Sequence, residues 1–247
     1  MSLSVTPLKT RIFRSGESVS AFVIESIESQ AGSLAHAREC LHGRVLAITS
    51  KIVSLSESRE CARTLSKSEL IASEADRVLG TSKHGTPLTL KQGLLIPAAG
   101  IDESNSPTGN YILYPEHPWD SALRICRELR DILGDEKIGV LLTDSRTLPL
   151  RVGVTGVALS FSGFRGVRDD RGQRDLFGRE LKLSQTAVAD ALAAAAVLEM
   201  GEGAEQRPLA IIASDTVAFQ ETLSPDTMRE SVAISPEEDL FFELYRG

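Results

Sequence analysis

Ile138-Gly139-Val140-Leu141-Leu142-Thr143-Asp144-Ser145 is the stretch on which the fold turns. Its first five residues carry no polar side chain, so neither face of the segment can rest in water. It reads as a strand buried on both faces that ends at three polar residues. Such a strand needs cover, and the flanking sequence offers it. Upstream, from Trp119, the residues Ala122, Leu123, Cys126, Leu129, Ile132 and Leu133 recur at helical spacing, with Gly134 as the stop. Downstream, Val154 to Phe161 predicts another strand, and alanine-rich Gln185 to Leu198 predicts a closely packed helix ending at Gly201.

Working further outward, Val45 to Thr49 after Gly43 is a second short apolar run, which reads as a buried strand delivering Ser50 and Lys51 at its end. Val19, Phe22, Val23, Ile24 and Ile27 follow the capping residue Ser18 and predict a helix over 18–29. Glu69 to Leu79 is a weaker helix. Thr86 to Leu95 reads as a strand or a hairpin around Gln92-Gly93. Pro97 to Pro118 holds four prolines and two glycines and reads as a long loop, the kind of segment that often carries function. Leu209 to Ala213 is a last core strand before an acidic tail over 214–247. No internal repeat is present.

The chain of 247 residues is 42% hydrophobic and 25% charged, enough apolar residues for a real core. Its net charge of -7 argues against nucleic-acid binding, which calls for a basic face. Arg165, Arg168, Arg171, Arg174 and Arg179 alternate with Asp169, Asp170 and Asp175, a mixed pattern that reads as a solvated loop. Three scattered cysteines, Cys40, Cys61 and Cys126, make a poor disulfide framework and point to a reducing compartment, with the cytoplasm as the default. Residues 1–10 show neither a signal peptide nor a membrane span.

Several chemistries are excluded by missing motifs: there is no Walker phosphate loop, no Gly-x-Gly-x-x-Gly and no Gly-x-Ser-x-Gly elbow. Histidines and cysteines are too dispersed for a zinc framework, Cys40-x-His42 being the one close pair, and His36, His84 and His117 lack evident catalytic companions. What remains is a set of acidic groups at element ends: Asp102, Asp144 and Glu202. Carboxylates from separate loops suit a hard divalent cation beside phosphates, although each by itself equally fits a turn or cap. Gly201-Glu202-Gly203 could bring backbone amides close to a phosphate, or simply end a helix. Ser50 and Lys51 could offer a hydroxyl and a point charge to the same group.

Six motifs in order resemble one family: Ile48-Thr49-Ser50-Lys51-Ile52-Val53-Ser54; Ala99-Gly100-Ile101-Asp102-Glu103-Ser104-Asn105; Leu142-Thr143-Asp144-Ser145 with Arg151 and Gly153; Asp175 to Leu181; Ala187-Val188-Ala189-Asp190; and Met200-Gly201-Glu202-Gly203. The series is similar to the coenzyme F-420 gamma-glutamyl ligases and spans roughly residues 5 to 213 of what reads as a single ligase-like unit over 1–247. The resemblance implies an α+β fold of two intertwined α/β subdomains with mixed and antiparallel sheets, assembled as a homodimer. It implies a GTP-dependent L-glutamate ligase that uses Mn2+ or Mg2+, with a place for monovalent K+, and acts on small molecules rather than nucleic acid or membrane. The matching metal positions are Asp102, Asp144, Ser145 and Glu202. The matching nucleotide positions are Arg11, Ile12, Phe13, Ser50, Lys51, Asn105, Glu202, Gly203, Ala204 and Glu205. Asp144 also matches a catalytic position, and Arg151 and Arg179 are candidates either for holding anionic substrate groups or for structural ion pairs.

Two positions depart from the family's habit. Leu55 stands where a second lysine is usual, which implies the loss of a cation facing phosphates, and Arg146-Thr147-Leu148-Pro149 replaces Gly-Arg-Pro. These departures leave two further readings open: the same chemistry on a folate or other small carboxylate, or a metal- or nucleotide-binding homologue without catalysis.

Overall fold

The computed structural model describes residues 2–106 and 108–244. The chain opens with strand β1 (Ser4–Leu8), then helices α1 (Val19–Ala31) and α2 (Leu34–Leu41), then strand β2 (Arg44–Thr49). Helix α3 (Ser50–Ser56), strand β3 (Glu60–Cys61), helix α4 (Lys67–Glu74) and strands β4 (Arg77–Thr81), β5 (Pro87–Lys91), β6 (Leu94–Pro97) and β7 (Tyr111–Ile112) follow. Next come helix α5 (Pro118–Leu133) and strands β8 (Ile138–Thr147), β9 (Val154–Ser162), β10 (Val167–Asp169) and β11 (Gln185–Ala187). Helix α6 (Val188–Met200), strand β12 (Leu209–Ala213) and helix α7 (Pro225–Glu230) complete the main elements. The class is mixed α/β, with one mixed sheet and several antiparallel ones.

Two compact units share the chain. The first comprises Met1–Ile12, Ser18–Thr49 and His117–Val232; the second comprises Phe13–Glu17, Ser50–Glu116 and Ala233–Gly247.

The first unit is built on a five-stranded sheet in the order β1-β12-β2-β8-β9. Only β2 and β8 run parallel, and these are the two apolar runs read as buried strands. Valines, leucines and isoleucines from both are fully buried. On one side α6 packs through Val188, Ala189, Leu192, Ala193 and Ala196 onto Val45, Ala47, Leu141, Phe161, Ala210 and Ile212. Its alanines allow close approach: a Cβ built on Gly156 of β9 would sit 2.2 Å from the Ala193 carbonyl oxygen. Helix α5 contributes Ala122, Ile125, Cys126, Leu129 and Leu133 to the core and ends at Gly134 in the left-handed region.

In the second unit β4, β5 and β6 form an antiparallel meander, while β3 pairs with β7. Gln92 and Gly93, both at positive φ, form the two-residue turn between β5 and β6 that the sequence signals. Leu70, Ile71, Ala98, Ala99, Ile101, Tyr111 and Leu113 make its core.

Several boundaries differ from the sequence reading for identifiable reasons. The helix expected over 69–79 is shorter, closed at its start by a capping box between Ser66 and Glu69, and Arg77 to Thr81 leave it to pair with β5. Gln185 to Ala187 pair with β10 rather than beginning α6. Ser50 and Lys51 follow the end of β2, as expected, and open the short helix α3. On α5, Ile132 is exposed, whereas Ile125 and Arg130 are buried. The tail after Ser214 holds α7, whose Met228 is buried. Leu55 is buried as well, and its carbonyl accepts from the Ser15 hydroxyl and the Gly16 amide.

Candidate active site

In the first unit, pairing between distant segments gathers the sequence-identified residues at one end of the sheet. Leu209 pairs with Leu8 and with Ile48, Ile48 pairs with Leu142, and Thr49 pairs with Thr143. The carboxyl ends of the parallel pair β2–β8 therefore lie beside the start of β12 and the end of β1. Backbone bonds extend this edge: the Thr10 amide donates to the Gln206 carbonyl at 3.1 Å, and the Thr49 amide donates to the Pro208 carbonyl at 3.0 Å. The Gln206 side chain donates to the Thr10 carbonyl at 2.9 Å. Thus the Arg11–Ile12 segment and the Gly201–Glu205 loop, nearly two hundred residues apart in sequence, are brought together. Open α/β sheets bind ligands at such carboxyl ends.

Asp144 and Ser145 lie within β8, not past its end. A bulge between Leu142 and Thr143 resets the register against β9, so that Asp144 faces Val157 and Ser145 faces Gly156. Leu141 packs on the α6 side, and the two-residue period carries Ser145 to that side and Asp144 to the other. Accordingly the Ser145 hydroxyl donates to Glu202 Oε2 at 3.1 Å, just past the end of α6. Asp144 Oδ1 accepts from the Ser145 amide at 2.9 Å.

The Gly201–Glu205 loop is exposed and curls around a carboxylate. Gly201, at φ 81°, closes α6, and the Gly203 amide donates to Glu205 Oε2 at 2.8 Å. A Cβ on Gly201 would lie 2.6 Å from the Glu205 carboxyl carbon, so the glycine is needed for that approach. Ala204 is exposed in the same loop. A backbone amide already holding an anionic group is the kind of donor a phosphate oxygen uses.

The second unit holds the Asp102 group. Ala98 and Ala99 both adopt positive φ, a costly state for non-glycine residues. It is held by the Ala99 amide donating to buried Thr89 Oγ1 at 2.9 Å and by a reciprocal pair of backbone bonds between Asp102 and Ile112. Asp102 Oδ1 accepts from the Ser104 amide at 2.7 Å and the Ser104 hydroxyl at 2.8 Å, while Lys51 Nζ sits 2.7 Å from Oδ2. Burial pushes the Asp102 carboxyl up, but Lys51 and the Ser104 amide outweigh it and hold it below the usual carboxylate range. Lys51 also donates to Ser104 Oγ at 3.0 Å. Ser50 is buried at the start of α3, Asn105 sits at φ 54°, and Phe13 is buried.

Other sequence-identified residues are placed as follows. Arg11 grips Glu25 through two bonds of 2.9 and 2.7 Å and stacks over Phe22, while Ile12 is exposed. Arg179 is paired with Asp175 at 3.2 Å at the tip of the β10–β11 hairpin and lies over Phe177. Arg151 is exposed in the β8–β9 connection. The aspartates and arginines of 165–179 do form a solvated hairpin, within which Arg171 holds the Asp169 carboxyl down to about 2.

The donor chemistry fits a hard divalent cation: every sequence-identified metal position offers oxygen, and Asp102 is held in its charged form. Among the described residues no three His, Cys, Asp or Glu side chains gather into a ready-made metal cluster. Among the described residues no helix is long and apolar enough to cross a membrane.

Comparison with known proteins bears on this arrangement. A family model described as F420-0:Gamma-glutamyl ligase matches residues 7–214. The coenzyme F420:L-glutamate ligase of Methanopyrus kandleri is 32% identical over 251 residues, covering 98% of this chain and 97% of that protein. That of Methanocaldococcus jannaschii is 32% identical over 247 residues, covering 97% and 96%. That of Methanosarcina mazei reaches 43% identity over 114 residues, 46% of this chain and 44% of its own length.

Proposed function

Because the chain belongs to the F420-0:gamma-glutamyl ligase family, we propose that it joins L-glutamate to the carboxylate of coenzyme F-420-0, using GTP and a divalent Mn2+ or Mg2+ ion, with K+ as an accompanying monovalent cation. The observation that carries this reading is the match along nearly the whole chain to relatives bearing that activity in their names. The grouping of the Arg11, Thr49, Asp144 and Gly201–Glu205 segments at one sheet end supports it.

The reaction runs in two displacements. An acceptor carboxylate oxygen attacks the terminal phosphorus of GTP and GDP departs, leaving an acyl phosphate. The amine of glutamate then attacks the acyl carbon, phosphate leaves, and the amine gives up a proton. Asp102, Asp144, Ser145 and Glu202, the positions matching the family's metal positions, would hold the divalent ion, which when bound would neutralise charge on the triphosphate oxygens. Lys51 serves as a point charge toward phosphate, and the Gly203 amide is a ready donor once Glu205 yields it. Catalysis of this type is chiefly positioning and electrostatics, which suits groups fixed on strand ends. Arg151 is the candidate for holding an anionic substrate group. Arg179 would have to exchange Asp175 for the substrate.

The homodimer belongs to the same proposal and is supported by apolar side chains left exposed in the first unit, among them Leu176, Phe177 and Leu183 of the β10–β11 hairpin. Light scattering that returns a monomer mass would remove it.

The enzymatic reading is tested by incubating the protein with GTP, Mn2+, L-glutamate and the unglutamylated deazaflavin. Product carrying one or more added glutamates is expected. Phosphate release with a folate or another carboxylate, and none with the deazaflavin, would move the acceptor. Nucleotide binding without turnover on any acceptor would reject catalysis.

A further inference from the structure

Outside the ligase site, helix α2 carries a second arrangement of chemically active side chains. Cys40 and His36 are four residues apart on the same face, and Cys40 Sγ lies 3.0 Å from His36 Nε2. His36 Nδ1 lies 3.8 Å from Glu39 Oε2, which puts a carboxylate on the side of the ring away from the thiol. Arg44 Nη1 donates to the Cys40 carbonyl at 2.9 Å, placing a permanent cation beside the same residue. Both His36 and Cys40 are partly open to solvent.

We propose that Cys40 is a thiol-modification site at which His36 acts as the base and low-molecular-weight disulfides are the reactants. The Cys40 thiol proton passes to His36 Nε2. The resulting thiolate attacks one sulfur of the incoming disulfide, a new sulfur–sulfur bond to Cys40 forms, the old one breaks, and the second sulfur departs as a thiolate. No external oxidant is consumed, because the incoming disulfide is reduced as Cys40 is oxidised.

The other two cysteines provide internal references. Cys61 has similar exposure, but its thiol only faces the Ala62 carbonyl at 3.5 Å. Cys126 is buried on α5, and burial pushes its thiol up despite the nearby Arg130. Thiol reactivity follows the thiolate and its access to solvent, so the three should separate in the order Cys40, Cys61, Cys126.

The test uses the native full chain, a chromogenic aromatic disulfide and peptide mass mapping of each cysteine over time. Cys40 is expected to react on the order of tenfold faster than Cys61. His36→Gln is expected to bring the Cys40 rate down to that of Cys61 while leaving Cys61 and the fluorescence of Trp119 unchanged, and Cys40→Ser removes the fast phase. Equal rates for Cys40 and Cys61 in the native protein, or a Cys40 rate indifferent to His36→Gln, overturns the proposal.

Discussion

Replacing Gly156 by alanine should separate stability from catalysis in a way that follows from a single close approach. The added methyl would meet the Ala193 carbonyl oxygen at 2.2 Å, the Ala193 carbonyl carbon at 2.7 Å and Val197 Cβ at 2.8 Å. Two of these three atoms are helix backbone, so no rotamer change relieves the clash. Helix α6 must lift from the sheet by about 1 Å to restore ordinary contact. Overpacking of this kind costs roughly 1 to 3 kcal/mol; at about 2 kcal/mol, a chain of this length melts roughly 4 to 8 °C lower. The effect on turnover is larger. Ser145 lies directly across from Gly156, and Glu202 follows the end of α6, so the 3.1 Å bond between them is the feature most exposed to the shift. A displacement of about 1 Å in a positioned group can cost on the order of a hundredfold in rate. The chain's one tryptophan, Trp119, packs edge-on against Phe161 of β9 with ring centroids 5.4 Å apart, so its fluorescence follows the same unit during melting. Gly80→Ala is the control, since a Cβ there meets nothing within 4 Å. Wild-type melting and wild-type turnover in Gly156→Ala would refute the seating of α6 on β9.

Three other outcomes are expected. Arg130→Met should destabilise the protein by about 3 kcal/mol, because the buried guanidinium donates to the carbonyls of Ile138, Gly163 and Gln220 and their partner would be lost; urea unfolding followed at Trp119 with an unchanged midpoint contradicts this. Asp102→Asn should weaken Mn2+ binding by roughly 10- to 150-fold, the equivalent of losing a charge-assisted contact of about 1.5 to 3 kcal/mol; calorimetry giving an unaltered isotherm on folded protein removes Asp102 from the metal-binding set. The Asp135 carboxyl is pushed up by burial but held below its ordinary range overall by the Lys137 amide, His42 and Arg38. Its contribution is therefore complete above the unfolded value of about 3.9 and disappears as pH falls through the lower folded value. Asp135→Asn should flatten that part of the acid limb of the stability profile, and an identical acid limb in both proteins counts against the assignment.

How much of this was legible depended on whether the cause was local. The two-sided burial of Ile138 to Leu142 and the stop at Gly134 are decided by residues next to one another and agree with the structure, and of the strand or hairpin open at Gln92-Gly93 the structure has the hairpin. Strand β1 has no local signal, because Ser4 to Leu8 becomes a strand only by pairing with β12 some two hundred residues away. Val78 and Leu79 fitted a helical spacing until β5 supplied a strand partner, and Gln185 to Ala187 likewise followed β10. At the site, Asp102 and Lys51 came from the motif series, whereas the ties from Thr10 to Gln206 and from Thr49 to Pro208 are backbone bonds that leave no mark on residue type. The His36–Cys40 pair had a local signal in its four-residue spacing. Cys40-x-His42 carries no such signal, since residues two apart on or beside a helix do not face each other.

The stretch that decides the fold also decides what the site can hold, and the bulge between Leu142 and Thr143 links the two roles. A strand buried on both faces tolerates apolar exchange readily, so Ile138 to Leu142 specify the sheet without specifying which polar side chain follows on which face. Sliding β8 by one residue would leave an apolar strand in place but would turn Asp144 toward α6 and Ser145 away from Glu202. The bulge prevents this exchange: two residues of β9, Leu159 and Ala158, are set against the single step from Leu142 to Thr143, and the register beyond it is anchored by Gly156 beneath α6. Functional precision here therefore rests on a defect in the ladder and on a missing side chain. Neither adds hydrophobic burial, which is why a sequence with the same apolar pattern could keep this fold and lose the arrangement of Asp144, Ser145 and Glu202.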